Sequence, residues 1–223
     1  IGLIQMPYTV TPTSLTPVLL LQPRVFADER GFFFESFNQR EFNRATGLDV
    51  TFVQDNHSQS KHGVLRGLHF QRQYPQGKLI RVSKGKIFDV AVDIRPNSPQ
   101  YGQWTGQVLD SDNHQQLWIP EGFAHGFLVL SDLAEVIYKT TDYWVASDED
   151  AIVWNDPDIA IDWPLQALTT QPLLSPKYEA ASLWYVLPAS VGLAALAAPS
   201  VSFDVLDGVE FSPFVSSFLA PAP

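Results

Sequence analysis

The 223-residue chain has no cysteine. Disulfides, zinc–thiolate centres and cysteine nucleophiles are thereby excluded, and a reducing compartment is compatible with the composition. Positive charge is scarce as well. Fourteen Lys and Arg stand against 24 Asp and Glu, a formal net charge of −10. That balance argues against general nucleic-acid binding, which needs many cations along a phosphate backbone. No Lys, Arg or His follows Lys177, and there is no internal repeat. The stretch after Ile1 lacks the charged, apolar and cleavage regions of a signal peptide, so a cytoplasmic location is expected.

The few cations are unevenly placed. Twelve of the 14 lie at or before Arg95, together with 8 of the 24 acids, so the first 95 residues carry +4 and the remainder −14. An acidic chain whose cations gather in one segment can bind a small anion there. Hydrophobic residues make up 45%, enough to bury one sizeable core.

Strand signals dominate. In Ile87–Asp93, Phe88, Val90 and Val92 alternate with Ile87, Asp89, Ala91 and Asp93, the period of a pleated strand. Comparable short runs occur at Val18–Leu21, Phe32–Phe37, Thr51–Gln54, Val64–Gln71, Leu79–Ser83, Gly106–Leu109, Gln116–Ile119, Ala124–Leu130 and Ala134–Thr140, punctuated by Gly, Pro, Asn, Asp and Ser. Many short strands at close intervals predict an all-β sandwich or barrel, jelly rolls included, with few short helices. The clearest helix is Asn38–Thr46, with Asn38 as its cap and Gly47 where it would stop. From Ala180 the character changes: residues 180–203 are uncharged and rich in Ala, Leu, Val, Ser and Pro. Their length could span a bilayer, but Pro188, Pro199 and the lack of a basic flank argue against a membrane anchor. We expect a domain over residues 1–179 and a loosely packed or poorly ordered apolar tail over 180–223.

Polar groups inside apolar strand signals mark the candidate site. Val64–Gln71 contains Arg66 and His69 beside Gly67, Gln76–Arg81 adds Lys78 and Arg81, and Ile119–Phe127 supplies His125. Such groups are costly to bury unless paired or used. A histidine titrates near neutral pH and can remove a proton, a lysine can stabilise an oxyanion, and a tyrosine such as Tyr138 can return a proton. Together they suit deprotonation α to a carbonyl and reprotonation from the other face. Asp89 could fix a histidine tautomer. His57, His62 and His114 lie in polar, turn-like contexts and are expected to be ordinary surface residues. Pro120–His125 resembles the second motif of metal-binding cupins, but His69 is followed by Phe70 and Gln71 rather than completing a His-x-His pair. Two separated histidines make a poor transition-metal site, and no metal is expected. Arg66 and His69 differ in parity, so a regular strand would put them on opposite faces. If both serve one pocket, Gly67 must mark a bulge or an irregular strand start; otherwise Arg66 reaches the ligand from the rim.

Five stretches, Phe26–Glu35, Gln54–Ser58, Leu65–Gln71, Trp118–Phe127 and Tyr138–Tyr143, resemble in sequence and order the dTDP-4-dehydrorhamnose 3,5-epimerases. The likeness runs roughly from Val18 to Lys177. It implies a cupin-type jelly roll, usually a homodimer, working without a cofactor. It also implies inversion of C3 and C5 of dTDP-4-keto-6-deoxy-glucose through an enolate, in dTDP-L-rhamnose biosynthesis. The resemblance casts His69 as general base, Tyr138 as general acid and Lys78 as the enolate's counter-charge, with His125 and Asp89 as a further polar pair. Arg30, Glu35, Gln54, Asn56 and Arg66 match residues around nucleotide and sugar, and Glu149 and Lys177 match later nucleotide contacts. Related single-centre epimerases and a non-catalytic dTDP-sugar-binding cupin are the alternatives.

Two positions depart from the family pattern. Where an Asp that pairs with the catalytic histidine is common, this chain has Tyr178, followed by Glu179. Either His69 lacks its carboxylate or Glu179 supplies it. Trp144 follows Tyr143 where a second tyrosine is common, near the sugar, so it bears on whether one or both centres are inverted.

Overall fold

Residues 7–184 are described in the structure, a computed structural model. Among these residues there are thirteen strands: β1 (Tyr8–Pro12), β2 (Leu19–Pro23), β3 (Phe26–Asp28), β4 (Gly31–Phe33), β5 (Gln54–Lys61), β6 (Leu65–Gln71), β7 (Lys78–Lys84), β8 (Lys86–Asp93), β9 (Trp104–Asp110), β10 (Gln116–Ile119), β11 (Phe123–Val129), β12 (Leu133–Thr140) and β13 (Glu149–Ala151). Helices are short: α1 (Gln39–Thr46), a 3₁₀ turn at Leu165–Ala167, and α2 (Pro176–Glu179). Six strands form one sheet in the order β1-β2-β10-β7-β12-β5, five form a second in the order β13-β6-β11-β8-β9, and β3-β4 is a separate hairpin. All pairings between these strands are antiparallel. This is the all-β jelly roll of the cupin type.

The strand period decides where each side chain goes. Ile80, Val82, Leu117, Ile119 and Val136 from the first sheet pack with Ile87, Ala91, Phe123, Phe127 and Val129 from the second, forming the core between them. The alternate residues of the second sheet, among them Leu65, Leu68, Val90, Val92, Ala124 and Leu128, are also buried, under Ile152, Ile159 and Trp163. Covering both faces explains why these strands read as near-continuous apolar runs. On the outer face of the first sheet, Phe42 of α1 seats on Leu79, Trp118, Leu21 and Tyr8.

Helix α1 is where its caps place it. Asn38 accepts from the Glu41 amide, and Gly47 closes the helix in the left-handed region at φ 72°. β5 lay outside the predicted strands except at its first residue, because its sequence, QDNHSQSK, has no hydrophobic period. It is a sheet edge held by continuous pairing with β12 from Gln54 to Lys61, and polar edges resist further strand addition. His57, on this edge, pairs with Glu135 at 3.3 Å.

Past α2 the chain still contacts the sandwich. Ser182 bridges to Ile152, and the Trp184 amide donates to the Asp156 carboxylate at 2.6 Å. The rest of the apolar tail, 185–223, with most of the stretch weighed as membrane-spanning, lies outside the described residues. No helix among the described residues is long and apolar enough to cross a membrane.

Candidate active site

Arg66 and His69 share one face because β6 carries an extra residue. His69 lies opposite His125, but Arg66 lies opposite Phe127, so three steps on β6 match two on β11. Gly67 takes up the difference at φ +108°. A Cβ there would meet the Gly126 Cα and the His125 carbonyl oxygen, each at 2.5 Å, so only glycine permits this bulge. Of the two sequence-level possibilities, the bulge is the one found.

The inner faces of both sheets then converge at one end of the sandwich. From the first sheet come Lys78, which pairs opposite Thr140, Tyr138, and Asn56 opposite it on β5. From the second come Arg66, His69, His125 and Asp89. β13 places Glu149 opposite Gln71. A cavity of about 210 Å³ is lined by Gln54, Asn56, His69, Phe70, Gln71, Gln76, Lys78, Tyr138, Trp144 and Glu149. It is large enough for a hexose ring and smaller than a whole nucleotide sugar.

Each group in and behind this cavity has a defined partner or charge state. Both oxygens of Asp89 lie 3.0 Å from His125 Nε2, and the two side chains are almost fully buried. His125 therefore stands behind the cavity wall, its ring 5.3 Å from that of His69 and nearly perpendicular to it. Lys78 is 4% exposed. Burial pulls its ammonium down to about 8, with the charges of Glu149 and Asp89 opposing that shift. The His69 imidazole is held well below its usual 6.5 by burial first, and then by Lys78, His125, Lys177 and Arg66. Burial and Glu149 push the Tyr138 phenol up, with Arg66 acting the other way. At neutral pH the cavity thus presents a neutral imidazole, an ammonium and a protonated phenol, the set needed for carbon-acid chemistry.

Arg66 donates from Nε to Ser60 at 2.9 Å, beside the cavity rather than lining it. Gln54 and Asn56 are joined at 2.9 Å, and Gln54 also accepts from the Trp144 amide at 3.0 Å. The three acids of the run 148–150 have separate partners: Asp148 accepts from the Gln73 and Tyr74 amides, Glu149 pairs with Lys177 at 2.6 Å, and Asp150 pairs with Arg72. Glu149 is also 3.4 Å from the Trp144 indole nitrogen. Arg30 and Glu35 are not brought to this cavity. Arg30 is exposed on the β3–β4 hairpin in an ion pair with Asp28, and Glu35 lies in a separate depression with Arg24, Phe26 and Phe33.

Sequence reasoning passed over Gln71. Its amide donates to the carbonyls of Tyr74 and Tyr143 and accepts from the Val145 amide, so it pins the segment that carries Trp144 into the cavity wall. The available signal was a glutamine closing an apolar strand that is buried on both faces. The two departures both fall at the site. Trp144 lines the cavity, and Tyr178 brings its hydroxyl to 3.4 Å from His69 Nδ1. Glu179 is exposed.

Residues 12–184 match the family model described as dTDP-4-dehydrorhamnose 3,5-epimerase. A relative of that name from Escherichia coli (strain K12) is 60% identical over 171 residues, 76% of this chain and 91% of the relative. The crystal structure of a dTDP-6-deoxy-D-glucose-3,5-epimerase from Legionella pneumophila, in complex with dTDP-4-keto-L-rhamnose, superposes with a TM-score of 0.76 at 49% identity, covering 79% of this chain and 92% of that one. A 3′-monoepimerase from Streptomyces bikiniensis in complex with dTDP-quinovose is similar at 31% identity with a TM-score of 0.71, covering 77% and 86%. The chain belongs to the dTDP-4-dehydrorhamnose 3,5-epimerase family.

Proposed function

We propose that the protein is an isomerase that inverts C3 and C5 of dTDP-4-keto-6-deoxy-glucose, giving dTDP-4-keto-L-rhamnose. The observation that carries this reading is the convergence of His69, Lys78 and Tyr138 on one cavity. The C4 ketone acidifies the hydrogens on both neighbouring carbons. His69 takes a proton from one of them, and the electron pair moves to the ketone oxygen as an enolate. The Lys78 ammonium stabilises that oxyanion. Tyr138 delivers a proton to the opposite face of the carbon, and the carbonyl reforms. Once His69 has released its proton to solvent and Tyr138 has regained one from it, the second centre follows by the same route. A positioned acid or base typically contributes about 100- to 10,000-fold. Asp89 holds His125 at the back of the site, Gln54 and Asn56 face the sugar, and Arg66, Glu149 and Lys177 face the nucleotide side. No step in this chemistry requires a cofactor or a metal.

A homodimer is the assembly we infer. Arg30 and Glu35, matched to substrate contacts by resemblance, lie outside the cavity of their own chain, next to Phe26, Phe32 and Phe33, which are 51%, 61% and 70% exposed. Three exposed phenylalanines on one hairpin favour cover by another surface. A second copy would bury them and could receive Arg30 and Glu35 near its own site. We place the enzyme in the cytoplasm on the ground that its charged nucleotide-sugar substrate does not cross a bilayer unaided.

Single-centre inversion is the second reading, favoured by Trp144 in the cavity wall. Proton NMR of the product distinguishes the two. Inverted configuration at both C3 and C5 supports the 3,5-epimerase, inversion at one carbon supports the second reading, and unchanged substrate refutes both.

A further inference from the structure

Three observations set Tyr178 apart from an ordinary packing residue. Its hydroxyl is 3.4 Å from His69 Nδ1, and the two rings lie 6.2 Å apart at 27°, roughly stacked. The segment that carries it is anchored to the strand that carries His69: Leu173 exchanges backbone hydrogen bonds with Gly63 and Leu65 at 2.8 and 3.0 Å, and the Tyr178 amide donates to Ser175 at 2.9 Å. Finally, among the described residues no carboxylate takes the position beside Nδ1. Both Asp89 oxygens contact His125, Glu149 is engaged by Lys177, and Glu179 is exposed.

We propose that Tyr178 is the positioning residue of His69, a neutral phenol that accepts a hydrogen bond from Nδ1–H and so leaves Nε2 unprotonated for the carbon acid. This rests on the reading of His69 as the base. A hydroxyl can donate or accept, and only the accepting arrangement leaves a lone pair on Nε2. Burial, with Glu149 and Tyr138 adding to it and Arg66 opposing, holds the Tyr178 phenol at about 12, so the partner stays uncharged at neutral pH. The imidazolium formed during turnover faces Lys78 from β7, Arg66 from its own strand, His125 from β11 and Lys177 from α2. Facing these are the Glu149 carboxylate, already paired, Asp89 behind His125, and the Tyr138 phenol. Among the described residues His69 therefore gains no direct counter-charge. It is a base of low proton affinity, kept neutral to lower pH than a histidine in a carboxylate dyad.

The test uses the full chain labelled with ¹⁵N-histidine. Long-range ¹H–¹⁵N correlation reads the tautomer and titration of each imidazole, and His69→Asn identifies the His69 signals. Wild type is expected to show a neutral His69 protonated at Nδ1. Tyr178→Phe, which removes only the hydroxyl, is expected to give mixed tautomers. Tyr178→Asp is expected to raise the His69 midpoint by about one unit or more, with the acidic limb of kcat/KM moving the same way. Unaltered His125 signals verify the fold in each variant. A His69 tautomer and midpoint unchanged in both variants would overturn the proposal. Absence of turnover in wild type would instead refute the epimerase reading, while the spectra still decide the role of Tyr178.

Discussion

Gly67→Ala is the most informative single change for the architecture of the site. A Cβ at this position meets the Gly126 Cα and the His125 carbonyl oxygen at 2.5 Å, both backbone atoms of the neighbouring strand. The residue also sits at φ +108°. Forcing an L-residue to positive φ costs about 1–2 kcal/mol. Overpacking against a rigid strand adds about 1–3 kcal/mol, and the loss of unfolded-state freedom returns about 0.4–1 kcal/mol. The net expectation is a loss of about 2–4 kcal/mol. Gly47→Ala is the matched control: φ is +72° and nothing lies within 4 Å, so only the conformational cost of about 1 kcal/mol applies. Urea unfolding of both variants isolates the clash as the difference. The bulge also aligns Arg66 with His69, and misplacing a reacting group by about 1 Å can cost about 100-fold in rate. Gly67→Ala should therefore lose at least that much in kcat, while Gly47→Ala keeps its activity. Equal unfolding midpoints and equal kcat for the two variants would refute the bulge argument.

Further predictions concern single groups. Lys78 must be protonated to hold an enolate, and its ammonium titrates at about 8. Activity should therefore fall as pH rises through about 8, and in the other direction as His69 becomes charged at a pH well below 6.5; a kcat/KM profile measures both limbs. Lys78→Met should leave the fold intact and reduce kcat by about 100-fold or more, the loss typical of a single oxyanion donor. Asp89→Asn removes the charged partner of a buried histidine and should cost about 1–3 kcal/mol, read as a fall in melting temperature together with reduced kcat. Gln71→Leu leaves the Tyr74 and Tyr143 carbonyls and the Val145 amide without their partner, so KM should rise more than kcat falls as the Trp144 segment loosens.

The strands that the sequence made easy to recognise are those buried on both faces, because their apolar runs are continuous. Gln116–Ile119 was placed to the residue, and β8 within one residue at its start. β5 escaped because pairing with β12, not local pattern, makes it a strand. Phe32–Phe37 was expected to be one strand, but pairing stops at Phe33, where the β3–β4 hairpin projects its aromatic residues outward rather than into the core. At the site, the residue types at 69, 78, 125 and 138 pointed to carbon-acid chemistry before any geometry was known. Their convergence depended on register, which a strand's own residues do not encode. The parity conflict between Arg66 and His69 was the one local clue to the bulge, and Gly67 was its cause. The contact between Tyr178 and His69 joins residues 109 positions apart and was signalled only by a departure from the family pattern.

The central claim, that His69, Lys78 and Tyr138 exchange protons α to the C4 ketone, is tested most directly by hydrogen exchange. Incubating dTDP-4-keto-6-deoxy-glucose with the protein in D₂O and following the sugar by proton NMR should show both the C3 and C5 signals disappear with wild type and persist with His69→Ala. Persistence of both signals with wild type, or exchange at an unchanged rate in His69→Ala, would contradict the account.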